Sequence, residues 1–260
     1  MQTSVETTMT IGMPGQLADI GDHDVVSRLN NSKQLITTTI SAADLSTTLT
    51  INGTAFNVNS GAASLTVTEL RDLLIAAITA GSEPVTATVN DADELYVEAD
   101  VAGTAFTYAD TVNVASVDII ANETGTEFGL FVTEDVNSSL GDNLAHSPKS
   151  ATDITTVGKL AGLTVHSHAN EQAAANSDNV GYDLASAMSV LRKGRIYVRV
   201  EDAVTKTSGV YARHTASGSN TTLGKCRSDD DSSSAGLVPG ARYETSADAG
   251  GIATVNLNLV

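Results

Sequence analysis

The chain has one cysteine, no tryptophan, 4% aromatic residues, and 14 lysines and arginines against 31 aspartates and glutamates. A lone Cys226 cannot make a disulfide within its own chain, so a disulfide-stapled scaffold is excluded and stability must come from burial, strand pairing or assembly. A formal net charge of -17 argues against general nucleic-acid binding, which needs a basic surface to meet phosphates. No stretch approaches the ~18 consecutive apolar residues of a membrane span, and the opening MQTSVETTMTIGMPG lacks the basic-then-apolar order of a secretory signal. Neither nucleic acid nor membrane is therefore expected as a partner. No GxSxG, P-loop, HExxH or GxGxxG pattern occurs, and scattered Ser, His and Asp do not make a triad. The expectation is a protein that is not an enzyme and carries no cofactor.

What the chain does have is 41% hydrophobic residues and an abundance of Thr, Val, Ser and Ala, a mixture that favours strands and turns. Its 260 residues suffice for one large β domain or two smaller ones. Charge divides it. Residues 36–121 hold eleven acidic side chains and one basic, Arg71, for a net of -10, while the remainder holds twenty acidic and thirteen basic, for -7. Within the acidic stretch, LTINGTAFNV (49–58) reads as a hairpin, with Asn52-Gly53 supplying the positive φ angles of a tight turn. Thr66 and Glu69 form a capping box ahead of an apolar stripe at Val67, Leu70, Leu73, Leu74, Ala77 and Ile78, and Gly81 can end that helix. The helix should pack on a sheet containing 85–89, 94–99 and 103–108, in which GTAF recurs.

On either side, short apolar segments separated by Gly, Asn and Ser turns suggest a sandwich or barrel: 128–133, 159–168, 182–201, 210–214, 241–245 and 252–259. One segment stands out. From Met188 to Gly218, Arg192, Lys193, Arg195, Arg199, Lys206 and Arg213 outnumber Glu201 and Asp202, a local +4 in an acidic chain. After Gly194, strand alternation puts Ile196, Val198 and Val200 on one face and Arg195, Tyr197 and Arg199 on the other. A basic strand on an acidic body suggests docking to an acidic protein surface; a solvated hairpin face is the plainer reading.

TINGTAF, LLIAAITA, VTATV and AGTAF, in that order, resemble a small α+β module of bacteriophage tail-fibre, sheath and other surface proteins. The flanking LADIGDHDVVS, FGLFV, LAGLTVHSHA, LASAMSVLRKGRIYVRVEDAV, VYARHTASG and TSADAGGIATVNLNL together resemble the structural cement proteins of tailed bacteriophages, which bind the outside of the capsid shell and stabilise it. The resemblance implies a discontinuous β-rich cement core, residues 1–35 and 122–260, with residues 36–121 inserted as an acidic α+β domain. The expected fold is mainly β, a β-barrel or jelly-roll-like core with that small subdomain inserted. The major capsid protein is the implied partner, self-association as a dimer or trimer is implied with it, and the outer surface of the capsid in the virion is the implied location. The candidate contacts with the capsid, or between copies, are Arg192, Lys193, Arg195, Tyr197, Arg199 and Arg213, with Tyr197 as a rigid amphipathic anchor. The rival reading is a phage surface adhesin or glycan-binding module acting through the inserted domain, which the absence of Trp disfavours.

The remaining chemical candidates have plainer readings. His166 and His168 share a strand face and offer half of a metal site without a third ligand. Asp22-His23-Asp24 sits at a turn, where capping is expected. Asp229-Asp230-Asp231 lacks the alternating spacing of a calcium loop, and it reads, like Asp91, Asp93 and Glu94, as a solvated loop. Cys226, between Lys225 and Arg227, reads as a loop thiol.

Overall fold

Strand alternation and Gly or Asn turns make the fold mainly β, as its composition favours. The structure, a computed structural model, describes residues 12–18, 22–30, 33–41, 46–59, 65–101, 103–110, 113–120, 125–134, 144–156, 158–167, 181–183 and 186–259. It falls into two compact units, one formed by residues up to Asn30 together with Gly125 onward, the other by Asn31–Thr124. β1 (Asp24–Asn30) belongs to the first unit. The second unit contains β2 (Leu35–Ile40), β3 (Ser46–Ile51), β4 (Thr54–Asn59), α1 (Val67–Ala80), β5 (Val85–Val89), β6 (Glu94–Ala99), β7 (Tyr108–Asp110) and β8 (Val114–Ile120). The chain then returns to the first unit with β9 (Thr126–Glu127), β10 (Phe131–Glu134), β11 (Leu144–His146), α2 (Ala151–Thr155), β12 (Leu160–Thr164), β13 (Gly181–Tyr182) and β14 (Ala187–Arg199). β15 (Tyr211–Arg213), β16 (Cys226–Arg227), β17 (Ala235–Leu237), β18 (Ala241–Tyr243) and β19 (Ile252–Asn258) complete it.

The first unit is built on a closed five-strand barrel, in the order β1, β11, β10, β12, β14 and back to β1. β1 and β11 run parallel and the other neighbours antiparallel. Closure leaves this ring without a free edge. β10 and β12 bury both faces, while β1 leaves Val25 and Leu29 exposed. Phe131 and Leu191 enter one apolar cluster with Leu163, Ile196, Val198, Val255 and Leu257, while Val132 and Val190 enter another with Phe128, Tyr182 and Met188. That is why FGLFV is a continuous apolar run instead of an alternating one.

β14 is thirteen residues long and carries one seven-stranded sheet from the barrel into a ladder with β19 and β18. Its first half pairs with β1 from Leu29↔Ala187 to Asp24↔Lys193, and its second half pairs with β19 from Lys193↔Asn258 to Arg199↔Ile252. Gly194, at φ 132°, marks the junction. A side chain there would run into the His23 ring, so the tight passage requires glycine.

In the second unit two sheets, β5-β6-β2-β8 and β4-β3-β7, share a core with α1. Asp110 of β7 accepts the Ser116 amide of β8 at 2.7 Å, which links one sheet to the other. Asn52 and Gly53 take φ of 50° and 85°, the hairpin turn their sequence calls for. α1 starts at a complete Thr66/Glu69 capping box and buries Leu70, Leu74 and Ile78. Two details differ from the sequence-based expectation. Leu73 lies off the buried stripe and is 45% exposed. The second GTAF is not a strand: the Phe106 amide donates to the Gln34 side chain at 2.8 Å in place of a ladder bond, and β7 begins at Tyr108 on the β3 sheet, not beside β6.

Candidate functional site

The outer face of β14, β19 and β18 collects basic side chains on a rigid support. Ile196, Val198 and Val200 are fully buried beneath it, and Arg195 and Arg199 point the other way, exposed. Register aligns Arg195 of β14 with Asn256 of β19 and Arg242 of β18. Side chains directly opposite in a ladder share a face, so the three form a row across the strands. Glu244 serves the row: Arg195 Nε lies 2.8 Å from its carboxylate, Asn256 donates to it at 2.9 Å, and Arg242 is 3.5 Å away. Burial pushes the Glu244 pKa up, but the hydrogen bonds from Asn256 and Arg195 and the charges of both arginines outweigh it and leave it below the usual range. Among the described residues, Glu244 thus ties both guanidinium groups to one side of the ladder. Nearby, burial raises the Glu127 pKa, while Lys225 and Arg199 draw it part of the way back.

The other predicted contact residues are placed unequally. Lys193 is exposed and pairs with Asp22 at 3.2 Å. Arg192 is half-buried. Tyr197 is covered in part by residues 12–18, which run along β14: the Gly15 amide donates to Tyr197 O at 2.8 Å, Tyr197 N donates to Gln16 O at 2.9 Å, and a side chain at Gly12 would overlap the tyrosine ring. Its ring holds this arm and is not a free anchor.

Arg213 is the correction. Its side chain is fully buried, and it donates from Nε and Nη2 to both oxygens of Glu201 at 2.8–2.9 Å, from Nη2 to Asp231 at 2.7 Å and from Nη1 to Thr215 O at 3.0 Å. Arg227, 7% exposed, reaches Glu201 at 3.2 Å, Asp231 at 3.0 Å and Asp229 at 2.5 Å. Counting charge along 188–218 treats Arg213 and Glu201 as surface groups, whereas they neutralise each other inside the unit. The signal in the sequence that pointed here was the presence of arginines close to a run of three aspartates in an otherwise acidic chain.

Asp229-Asp230-Asp231 accordingly does not form a solvated loop alone, since two of its carboxylates close over the buried arginines. Asp231, Ser232 and Ser233 adopt consecutive left-handed conformations, with φ of 45°, 56° and 69°. Such angles cost non-glycine residues about 1 kcal/mol or more each. Ser233→Gly is expected to raise the stability of the first unit by about 0.5–1 kcal/mol, read as a higher melting temperature; a lower one would mean that the serine is not strained.

Cys226 is a core residue of β16 and not a loop thiol; burial pushes its pKa far up. His166 packs against Phe128, ring centroids 4.7 Å apart, and His168 lies outside the described residues. Among the described residues no group of His, Cys, Asp or Glu is placed to hold a metal ion.

Residues 85–258 match the family described as structural cement protein (E217 gp24/Pam3 gp6). The match begins at the first residue of β5 and so takes in β5 to β8 as well as the first unit from β9 onward. Among solved structures, a chain of the capsid of Myoviridae phage XM1 is similar over 52% of this chain and 78% of its own, at 18% identity and a TM-score of 0.37. A chain from Mycobacterium phage Patience is similar over 65% of this chain and 60% of its own, at 14% identity and a TM-score of 0.30. No curated protein matches.

Proposed function

The chain belongs to the family of phage structural cement proteins, and from that premise we propose that it binds the outer surface of the major capsid protein shell through the open face of β14, β19 and β18. Its role is structural and its place is on the capsid of the virion. The observation that carries the docking assignment is the Arg195–Asn256–Arg242 row, which the register sets across one strand-paired face together with Arg199. In a chain of net charge -17, arginines gathered on a strand-paired support favour an acidic partner by charge complementarity and would steer its approach. Arg192, Lys193, Arg195 and Arg199 remain docking candidates and Arg242 joins them. Arg213 does not, because its guanidinium has no surface.

Cement acts by adding contact across junctions between shell subunits, and its effect is multiplied by the number of copies. A modest interface per copy suffices, and self-association as a dimer or trimer would raise the effective concentration of neighbouring contacts. The test is attachment to shells of the cognate major capsid protein stripped of cement. Arg195→Glu combined with Arg199→Glu is expected to lower occupancy at least tenfold, and wild-type attachment should weaken as salt rises. Occupancy and heat resistance of the particles equal to those with wild-type protein would remove this face as the docking surface.

A further inference from the structure

His214 follows β15 and is 7% exposed. Its Nδ1 lies 2.9 Å from Thr215 Oγ1, and its Nε2 is buried with no hydrogen-bond partner. The main chain at this point closes a clasp: the amides of His214 and Thr215 both donate to Ser234 O, at 3.0 and 3.1 Å. Ser234 ends the left-handed turn that begins at Asp231, so the clasp ties that turn to β15.

We propose that His214 is an acid-sensitive catch for this turn, closed while the imidazole is neutral and released when it takes up a proton. A neutral ring needs only one polar partner here, because Nε2 without a proton is an acceptor and Nδ1–H can donate to Thr215 Oγ1. Protonation adds a donor at Nε2 that has no acceptor and places a second cation beside buried Arg213. A buried, unpaired donor on a charged ring is disfavoured on both counts.

The charged groups facing it are Asp153 of α2 and Arg213 of β15. Asp153 is already engaged, accepting from the Lys149 and Ser150 amides at 3.1 and 3.0 Å and pairing with Lys159 at 3.4 Å. Arg213 is held by Glu201 and Asp231, with Arg227 behind them. Burial lowers the His214 pKa, Asp153 opposes that shift and Arg213 adds to it. For a group whose folded pKa lies below its unfolded value of about 6.5, the stabilisation is complete above that value and declines as pH falls toward the folded pKa. Each molecule that unfolds in that window takes up as much as one proton at His214. The unfolding constant therefore rises up to tenfold per pH unit from this residue alone.

The experiment compares the stability of full-length wild type and His214→Gln between pH 7 and pH 5. The expected result is that the wild type takes up more protons on unfolding than the variant does, by up to one per molecule; equal proton uptake would overturn the proposal. Should the variant fail to fold, the histidine ring signals of the native wild type give the answer directly. The His214 signals should stay in their neutral position as pH falls through the ordinary midpoint of about 6.5. The amides of His214 and Thr215 should then lose protection from hydrogen exchange before those of β19. A His214 ring that titrates at the ordinary pH with those amides still protected would overturn the proposal equally.

Discussion

Replacing Arg213 with methionine is expected to lower the stability of the first unit by about 3–5 kcal/mol, the cost of removing one partner from a buried ion pair. The substitution leaves Glu201, whose side chain is 1% exposed, with Arg227 as its remaining cation at 3.2 Å. For a unit of this size the loss corresponds to a fall in melting temperature of roughly 10 °C, measurable by calorimetry. A loss below about 1 kcal/mol would mean that water reaches Glu201 when the arginine is gone. Replacing Arg213, Glu201 and Arg227 together with apolar residues of similar size is expected to cost less than the single change, because no buried charge is left without its partner. Asp231 adds an acid limit separate from that of His214. The hydrogen bond from Arg213, opposed by burial and aided by the charges of Arg227 and Arg213, holds its pKa below the ordinary carboxylate range. Its contribution is therefore present above that range and is lost as pH falls through the lowered folded value.

Gly162→Ala is expected to cost about 3 kcal/mol or more, and to reduce the yield of folded protein, because it forces the barrel wall apart. Gly162 lies in β12 at φ 141°, and a Cβ there would collide with the Leu191 carbonyl oxygen of β14. The obstacle is backbone, which cannot rotate away as a side chain would. Gly53→Ala supplies the comparison. It also has a positive φ, 85°, but nothing lies within 4 Å of the added methyl, so only the conformational cost of about 1 kcal/mol remains. Denaturant unfolding of the two variants should separate them clearly; equal losses would show that β12 and β14 yield at this contact.

The parts of this fold that were legible in the sequence are those set by neighbours in the chain. The Thr66/Glu69 cap, the Asn52-Gly53 turn and the alternation from Arg195 to Val200 each depend on residues within a few positions, and each is present. What was hidden depends on distant partners. Phe106 looks like a strand residue until Gln34 takes its amide. Tyr197 looks like a free aromatic until residues 12–18 pair along its strand. Arg213 falls in the same basic stretch of sequence as Arg195 and Arg199, yet it lies on β15, where its partners Glu201 and Asp231 reach it from two separate turns. Formal charge cannot reveal such a site, because it counts a buried ion pair and two solvated ions alike.

The sharing of β14 between the barrel and the β19 ladder has a mechanical meaning. A pull on Arg195 or Arg199 along the strand is borne by the same covalent backbone that lines the barrel. The seven paired positions from Lys193↔Asn258 to Arg199↔Ile252 are then loaded together in shear, whereas a strand anchored only at its end would be peeled open one pair at a time. Tension at the face would reach the barrel along β14 without crossing a loop.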